Sequence, residues 1–552
     1  RGLAVQDCLH AMLKRLTHHA DVGKLSHFPA ATVLAGLDRC TPPVQWNKDD
    51  LIITLTDWVG PDKRWAEECR PFVEKVIDHV GAAWVAKSNP NPMSLSEFVS
   101  DPFRWATSGG APAVSVDGAV VRSKWAWAIK HLEQGHDLYA ESANRRRMAI
   151  AALKEEPNKT RLVITTPMRS YLRQCYFMYV MGFPKIKSPI CDDMAAFRPS
   201  VTTADFYISI DASKFDQQIP FWFVRAVFAQ VARHPLLADL VREELEDIKN
   251  TRVRLFDTVR RYEGGVLSGW RMTSLIGSLA SVCVCEYIRR TFPDLDYLVQ
   301  GDDILLYGSS PVDKESIFSL LDQFKLVYDK NSTLVGREGV FLRRRYGRGP
   351  LRSQAGRALR QLFYANPWVT RGQFSGPREL ANSWLQYISR MAVPIDRGWV
   401  LRQASADMAR WSRGSGWSAR VWLRLLRTDS GYGGLGTVDT NTATSHAYVL
   451  SIGSGYKPDD RNNPTGALTP HMVLLNLVAP ATPRDSLQWM KVSSVSTVPV
   501  ALPRRPPLPE GRAGMVWPEG VNKFTTLLAV LKEGRRGLPA SMQASLPHYM
   551  RT

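Results

Sequence analysis

No run of about 20 apolar residues, the length a membrane-spanning helix needs, stands out in this 552-residue chain. The apolar stretch from Met272 to Cys285 has only 14 and includes Ser, Thr and Gly. The seven cysteines (Cys8, Cys40, Cys69, Cys175, Cys191, Cys283 and Cys285) contain no C-x-x-C pair, which argues against zinc ribbons. Their odd number in a long chain argues for free thiols in a reducing compartment. Acidic residues are the scarcer charge, 52 Asp and Glu against 71 Lys and Arg, giving a net charge of +19 and a pI near 9.7. That balance favours a polyanionic partner, nucleic acid first and a membrane surface second. No internal repeat is visible, which excludes a solenoid. Nor does a charged-then-apolar leader follow Arg1, so the reading is of a processed product or a fragment. Against these deficits stand 44% hydrophobic and 10% aromatic residues, enough for a large core divided among several subdomains.

The stretch Tyr297 to Gly308 consists of two short apolar runs around Gly301-Asp302-Asp303 and predicts a tight hairpin with both carboxylates at its tip. Adjacent carboxylates repel unless a cation neutralises them, which suggests a divalent-metal site. Such a tripeptide also arises by chance in about one chain in ten of this length, so its meaning depends on its partners. Residues 1 to about 150 show helical spacing, with loops at Ser88–Pro92 and Gly109–Pro112, followed by the basic cluster Arg145-Arg146-Arg147. Lys159 and Arg161 then share one face of an extended apolar run ending at Ile164, a cationic pair able to hold a triphosphate; Pro167, Arg169 and Arg173 follow. Phe206 to Asp211 reads as a buried strand delivering Asp211 to its carboxyl end, with Asp216 one turn on at a helix start. The Gly-rich turn Gly264 to Thr273, containing Ser268 and Gly269, leads into an apolar helix through about Arg290. Beyond the hairpin come a loop with Lys330 and a strand or hairpin, Val340 to Tyr346, that carries Arg343, Arg344 and Arg345. From Arg337 to Arg371 there are nine Arg and one acid, Glu338, suited to an RNA groove. The Trp-rich helical region from about 372 to 428 suits a core better than base stacking. Residues 429–470 are rich in Gly, Ser, Thr and Asn, and Pro503–Pro509 is a stiff linker.

Singly, each motif also fits a plain structural role. In order they run cationic strand, D-x4-D strand end, S-G-x3-T helix, G-D-D hairpin, Lys loop and basic hairpin, and this series resembles motifs F, A, B, C, D and E of viral RNA-dependent RNA polymerases. The wording Ser268-Gly-Trp-Arg-Met-Thr273 is most similar to the enzymes of totivirus-like double-stranded RNA viruses. The resemblance covers residues 158–346, about a third of the chain, and implies an α+β right-hand fold with fingers, a palm of antiparallel sheet plus helices, and a helical thumb. By position, residues 1–200 would hold the N-terminal region and fingers, with motif F at 158–174. Residues 201–346 would be the palm, carrying a fingers insertion at about 219–260. Residues 347–490 would be the thumb, and 491–552 a Pro-rich linker and tail.

The resemblance implies RNA synthesis from ribonucleoside triphosphates on an RNA template, for replication and transcription of a viral genome. Phosphoryl transfer needs charge neutralisation and in-line positioning, which two metal ions about 3.5–4 Å apart supply. Asp211 and Asp302 would bridge two Mg2+ ions, Mn2+ being a substitute, with Asp303 as an outer ligand. Lys159 and Arg161 would grip the triphosphate, and Lys330 would protonate the pyrophosphate. Asp216, Ser268, Gly269 and Thr273 would line the nucleotide site, and Arg343, Arg344 and Arg345 would contact RNA. Many relatives carry Asn four residues after the motif B Thr to read the ribose 2′-hydroxyl, where this chain has Gly277. Asp216 would then work with Ser268, Thr273 or Ser278, or sugar selection would be relaxed. Implied partners are RNA template and product, nucleotides and a viral capsid protein; the implied location is the host cytoplasm, within a virion or core particle. Two competing readings are a reverse transcriptase, and a basic RNA-packaging or capsid-linked protein with an inactive palm.

Overall fold

The computed structural model describes residues 46–347 apart from positions 62, 64, 108, 109, 117, 144–146, 157, 158 and 193. It also describes 352–353, a helix at 397–411, strands at 444–452 and 492–501, and a few single residues. The anticipated linker at Pro503–Pro509, the basic stretch from 354 to 371 apart from Leu362, and most of the anticipated thumb lie outside the described residues, as do residues 1–45 except for three positions.

In chain order the elements are α1 (Lys48–Val59), α2 (Arg70–Ala86), α3 (Leu95–Ser100), the strand pair β1 (Val114–Val116) and β2 (Ala119–Val121), α4 (Lys124–Glu133) and α5 (Leu138–Glu141). Next come β3 (Met148–Glu156), β4 (Lys159–Ile164), α6 (Met168–Met181), α7 (Met194–Thr203), β5 (Phe206–Asp211), α8 (Phe215–Gln218), α9 (Phe221–Ala232), α10 (Ala238–Lys249), β6 (Arg252–Leu255), β7 (Thr258–Arg261) and α11 (Thr273–Arg289). The series continues with β8 (Asp296–Gln300), β9 (Asp303–Gly308), α12 (Lys314–Phe324), β10 (Leu334–Gly336), β11 (Glu338–Phe341), β12 (Arg344–Gly347) and β13 (Arg352–Ser353). Among the described residues beyond it are α13 (Arg397–Trp411) and an antiparallel pair, β14 (Thr444–Ile452) with β15 (Val492–Ala501). This mixture of mainly antiparallel sheets and packed helices is an α+β fold, as the sequence leads one to expect.

The central sheet is antiparallel, in the order β10-β5-β9-β8. Its strands are almost continuously apolar because both faces are covered. Ile208, Ile210, Val299, Ile304 and Leu306 join the main core with Leu275, Ile276, Leu279 and Val282 of α11. The alternate residues Tyr207, Leu298, Leu305 and Tyr307 meet Val201, Phe341 and Tyr346 on the other face. Each fully buried aliphatic or aromatic side chain contributes about 1.5–3 kcal/mol, so the sheet is rigid where it delivers its acids. The helix α11 is buried through nearly its whole length, from Leu275 to Cys285. Of the seven cysteines, the six described are free, and burial pushes Cys175 up to about 11 and Cys191 up to about 12.

Between the central strand β5 and α11 the chain leaves this sheet. Its hairpin β6–β7 completes a second sheet, β4-β3-β6-β7, in which Met148 pairs in parallel with Arg252. Arg173, only 2% exposed, joins α6 to α10 by donating to Glu243 (2.7 Å), to Asp247 and to the fully buried Glu244 (3.3 Å). Glu244 also accepts from Ser170 Oγ (3.0 Å) and Gln174 Nε2 (2.9 Å). Burial lifts Glu244 to about 7, while these donors hold it down. Arg173, read in the sequence beside the cationic strand, is therefore a buried tie between helices. Trp384 is buried, and its indole N–H donates to Asp407 (2.9 Å), as a core tryptophan does. No helix among the described residues is long and apolar enough to cross a membrane.

Candidate active site

The β8–β9 connection is the anticipated hairpin. Gln300 pairs with Asp303, leaving Gly301-Asp302 as a two-residue turn, and Gly301 has φ 60°. Glycine first with positive φ is the signature of a type II′ turn, whose twist matches the strands. The neighbouring strand β5 pairs with β9 in a register that sets Asp211 directly opposite Asp303. Asp211, Asp302 and Asp303 are all exposed at this edge. Asp216 is half-buried in α8, after Lys214 in the left-handed region (φ 47°).

The acids sense one another. Asp216 is pushed up to about 7, first by burial and then by the charge of Asp302. Asp303 reaches solvent at the sheet edge, yet the protein on its inner side displaces enough water to push it up to about 6, with Asp302 adding to this, the Arg343 guanidinium pulling it back and Asp211 raising it further. A cluster whose ionised form is held off by desolvation and mutual repulsion, and built of hard carboxylate oxygens, fits divalent cations. Both acids have ordinary values of 3.8, so the folded chain binds more protons than the unfolded one between about pH 4 and pH 7. Without metal, this contribution to stability is full below about pH 4 and is lost as pH rises to 7. We predict that Mg2+ raises the melting temperature more at pH 8 than at pH 5, as thermal melts can show; an equal rise at both would contradict the assignment.

The hairpin is held from behind by α11. Ser278 Oγ accepts from Gly301 N–H (2.9 Å) and donates to Ser274 O (2.7 Å), while Ser281 Oγ donates to Gly301 O. Both serines are fully buried, so the Gly301 peptide is clamped on its two polar atoms. Gly277 lies on the same side: a Cβ there would sit 3.4 Å from Gly301 Cα and 3.8 Å from Asp216 Oδ1. Position 277 thus faces both the hairpin and the second motif A acid, and Ser278, considered for sugar selection, has its hydroxyl committed to the hairpin.

The turn before α11 locks onto the cationic strand. Ser268 Oγ accepts from Ile164 N–H (2.9 Å), and a Cβ on Gly269 would lie 2.4 Å from Ile164 O. Thr273 Oγ1 donates to Leu267 O (2.7 Å) or Trp270 O (2.9 Å), closing the turn. Gln174 ties the same region to α6 by accepting from Met272 N–H (3.3 Å). On β4, Leu162 and Ile164 are buried while Arg161 is exposed, the alternation expected of a strand with a cationic outer face. Lys159 begins β4 opposite Glu156; its side chain lies outside the described residues.

The Lys330 loop runs alongside β5: Asp329 N–H donates to Asp211 O (2.9 Å), Ser213 N–H to Val327 O (2.9 Å), and Asp211 N–H to Thr333 Oγ1 (3.3 Å). Lys330 itself pairs with Asp322 of α12 (3.2 Å) and lies over the Phe318 and Tyr328 rings. The basic hairpin β11–β12 turns through Leu342 (φ 49°) and Arg343 (φ 63°), two non-glycine residues in the left-handed region. Such a turn is strained, and it brings the Arg343 charge to bear on Asp303. Arg345 pairs with Glu338 (3.4 Å), and Arg344 is half-buried. Sequence reasoning missed Ser281 and Thr333, and named Ser278 for sugar selection only. The signal was there for the serines, since Ser274, Ser278 and Ser281 share one face of an otherwise apolar helix.

Residues 190–389 match the family model described as viral RNA-dependent RNA polymerase. Over 258 residues, 42% of this chain, the sequence is 26% identical to a Giardia lamblia virus (isolate Wang) protein described as "Probable RNA-directed RNA polymerase", and the match spans 13% of that protein's length. In shape the chain is similar to the RNA-dependent RNA polymerase of a human picobirnavirus, with a TM-score of 0.48 and 13% identity over 75% of this chain and 86% of that one. An insertion-loop deletion mutant of that type of enzyme gives a TM-score of 0.47 at 14% identity, covering 74% of this chain and 86% of the other. Residues 190–389, which span the strand of Asp211, the helix of Thr273 and the Gly301 hairpin, are thus the part of the chain that is similar to the viral RNA-dependent RNA polymerase family, the family that the motif order resembles.

Proposed function

We propose that the chain synthesises RNA on an RNA template from ribonucleoside triphosphates, by two-metal nucleotidyl transfer, to replicate and transcribe the genome of a double-stranded RNA virus. The observation that carries this reading is the register that sets Asp211 opposite Asp303 with Asp302 at the intervening turn tip, four carboxylates including Asp216 being electrostatically coupled there. Asp211 and Asp302 would hold two Mg2+ ions, or Mn2+ in their place, with Asp303 as the outer ligand. Bound there, the ions would activate a 3′-hydroxyl and neutralise the charge of the triphosphate and departing pyrophosphate.

The protein's own groups do the rest. Lys159 and Arg161 bind the triphosphate from the outer face of β4, and the Ser268–Gly269 turn fixes that strand to α11. Asp216 faces the Gly277 position and reads the ribose 2′-hydroxyl; with Ser278 committed to Gly301, its helpers are Ser268 and Thr273. Lys330 acts on pyrophosphate only by leaving its pairing with Asp322, so its role as an acid requires a rotamer change. Arg343, held at the strained turn, screens Asp303, and Arg344 and Arg345 follow the RNA backbone. A capsid protein as partner and placement within a virion or core particle extend this reading.

The test is incorporation on an RNA template with Mg2+ and each nucleotide class. Incorporation of ribonucleotides in preference to deoxyribonucleotides is expected. Preference for deoxyribonucleotides would make the chain a reverse transcriptase, and RNA binding with no incorporation of either would favour a packaging protein.

A further inference from the structure

We propose that His131, His136 and Glu141 form a second metal site, distinct from the aspartate cluster, that binds a transition-metal dication of the Zn2+ type. Among the described residues these three are the group of His, Cys, Asp or Glu whose ligand atoms all lie within 4.8 Å of one another. The backbone builds the cluster. Helix α4 ends in a turn through Gly135 (φ 70°), and His136 N–H donates to His131 O (2.9 Å), which folds the second imidazole back onto the first. The short helix α5, capped by Asp137 accepting from Ala140 N–H (2.6 Å), then presents Glu141 to both rings.

The distances match one ion. His131 Nδ1 and His136 Nδ1 are 3.4 Å apart, Glu141 Oε1 is 3.5 Å from His136 Nδ1, and Glu141 Oε2 is 3.8 Å from His131 Nδ1. Tetrahedral bonds of about 2.0–2.2 Å place neighbouring ligand atoms about 3.3–3.6 Å apart. The two nitrogens already meet this; the carboxylate distances belong to two different oxygens, and with one ligand atom from each residue within 4.8 Å of the others, a rotation of the Glu141 side chain closes the triangle and a water completes the fourth position. Two imidazoles and one carboxylate suit Zn2+ or Co2+, whereas Mg2+ and Ca2+ take oxygen donors. The 3.4 Å approach of the two ring nitrogens is satisfied either by one proton shared between them or by an ion in its place.

The site would tighten a bracket on the helix that follows the cationic strand. Between the ligands lies Tyr139, whose hydroxyl accepts from Arg173 Nε (2.9 Å) and whose carbonyl accepts from Arg169 Nη2 (3.1 Å). The Arg169 guanidinium also lies 4.7 Å from the Tyr139 ring. An ion holding residues 131–141 would therefore steady α6 where it leaves β4.

The experiment titrates the metal-stripped full chain with Co2+ in excess Mg2+, which occupies the aspartates. One equivalent is expected to bind with the intense visible bands of tetrahedral Co2+, and Zn2+ should displace it. His136→Ala, at an exposed position that does not threaten folding, should weaken binding at least about tenfold, and His131→Ala with Glu141→Gln should abolish the bands. Asp302→Ala should keep them. No tetrahedral spectrum, a spectrum unchanged in the His136 variant, or one lost in Asp302→Ala would overturn the proposal.

Discussion

Gly269→Ala is expected to cripple both stability and synthesis. The new methyl would sit 2.4 Å from Ile164 O and 3.0 Å from Thr165 Cα and Thr166 N, all backbone atoms that no side-chain rotation can move away. The turn must therefore retreat from the end of β4, breaking the Ser268 Oγ bond to Ile164 N–H (2.9 Å). Overpacking of this kind costs about 1–3 kcal/mol, and the lost hydrogen bond adds about 1 kcal/mol. The functional loss should exceed the thermal one, because the same contact sets the cationic strand against the helix that carries the hairpin clamp. A displacement of about 1 Å in positioning groups is worth about 100-fold in rate. Ser268→Ala removes only the hydrogen bond and should cost far less. Melting temperature and incorporation rate measured on the two variants would show the contrast; a Gly269→Ala enzyme with wild-type values would refute the close-approach argument.

This contact also shows what the sequence can and cannot disclose. The hairpin was legible because its signal is local: a glycine-first two-residue turn between apolar runs leaves few alternatives. Asp211 and Asp216 were legible for the same reason, as a strand end and the helix start that follows it. The acids find one another through strand register, which pairing fixes and single-strand periodicity does not. Gly269 was assigned to nucleotide binding because its steric partner, Ile164 O, lies 105 positions earlier in the chain and leaves no trace in the local pattern. The turn at Leu342–Arg343 was equally hidden, since neither residue advertises a positive φ; its strain is imposed by the pairing of β11 with β12.

Two residues illustrate how tertiary structure reassigns a polar side chain. Ser278 reads in the sequence as a candidate for sugar contact, yet its hydroxyl is consumed by Gly301 and Ser274. Arg173 follows the cationic strand in the sequence, yet it is buried against three acids of α10. In both cases burial decides, because a polar group removed from water must be satisfied by the protein before it can serve a ligand. Gly277 has gained a physical setting. A Cβ at this position would meet Gly301 on one side and Asp216 on the other.

The largest effect on chemistry is expected from Asp302→Ala. The carboxylate lies at the turn tip, outside the strand pairing, so its removal leaves β8, β9 and the serine clamp intact and relieves the repulsion that raises Asp216 and Asp303. The variant should therefore fold at least as well as the parent in the absence of metal. On the proposed assignment it loses a ligand to the ions that would neutralise charge in the transition state, worth several kcal/mol, or roughly 1,000-fold or more in rate. RNA binding rests on the basic surface, in a chain with a net charge of +19, and should keep its salt dependence. The most direct measurement is thus Mg2+-dependent ribonucleotide incorporation by the parent and Asp302→Ala chains at matched RNA occupancy. The account predicts extension by the parent, none detectable by the variant, and equal salt slopes for binding; equal extension by both would contradict it.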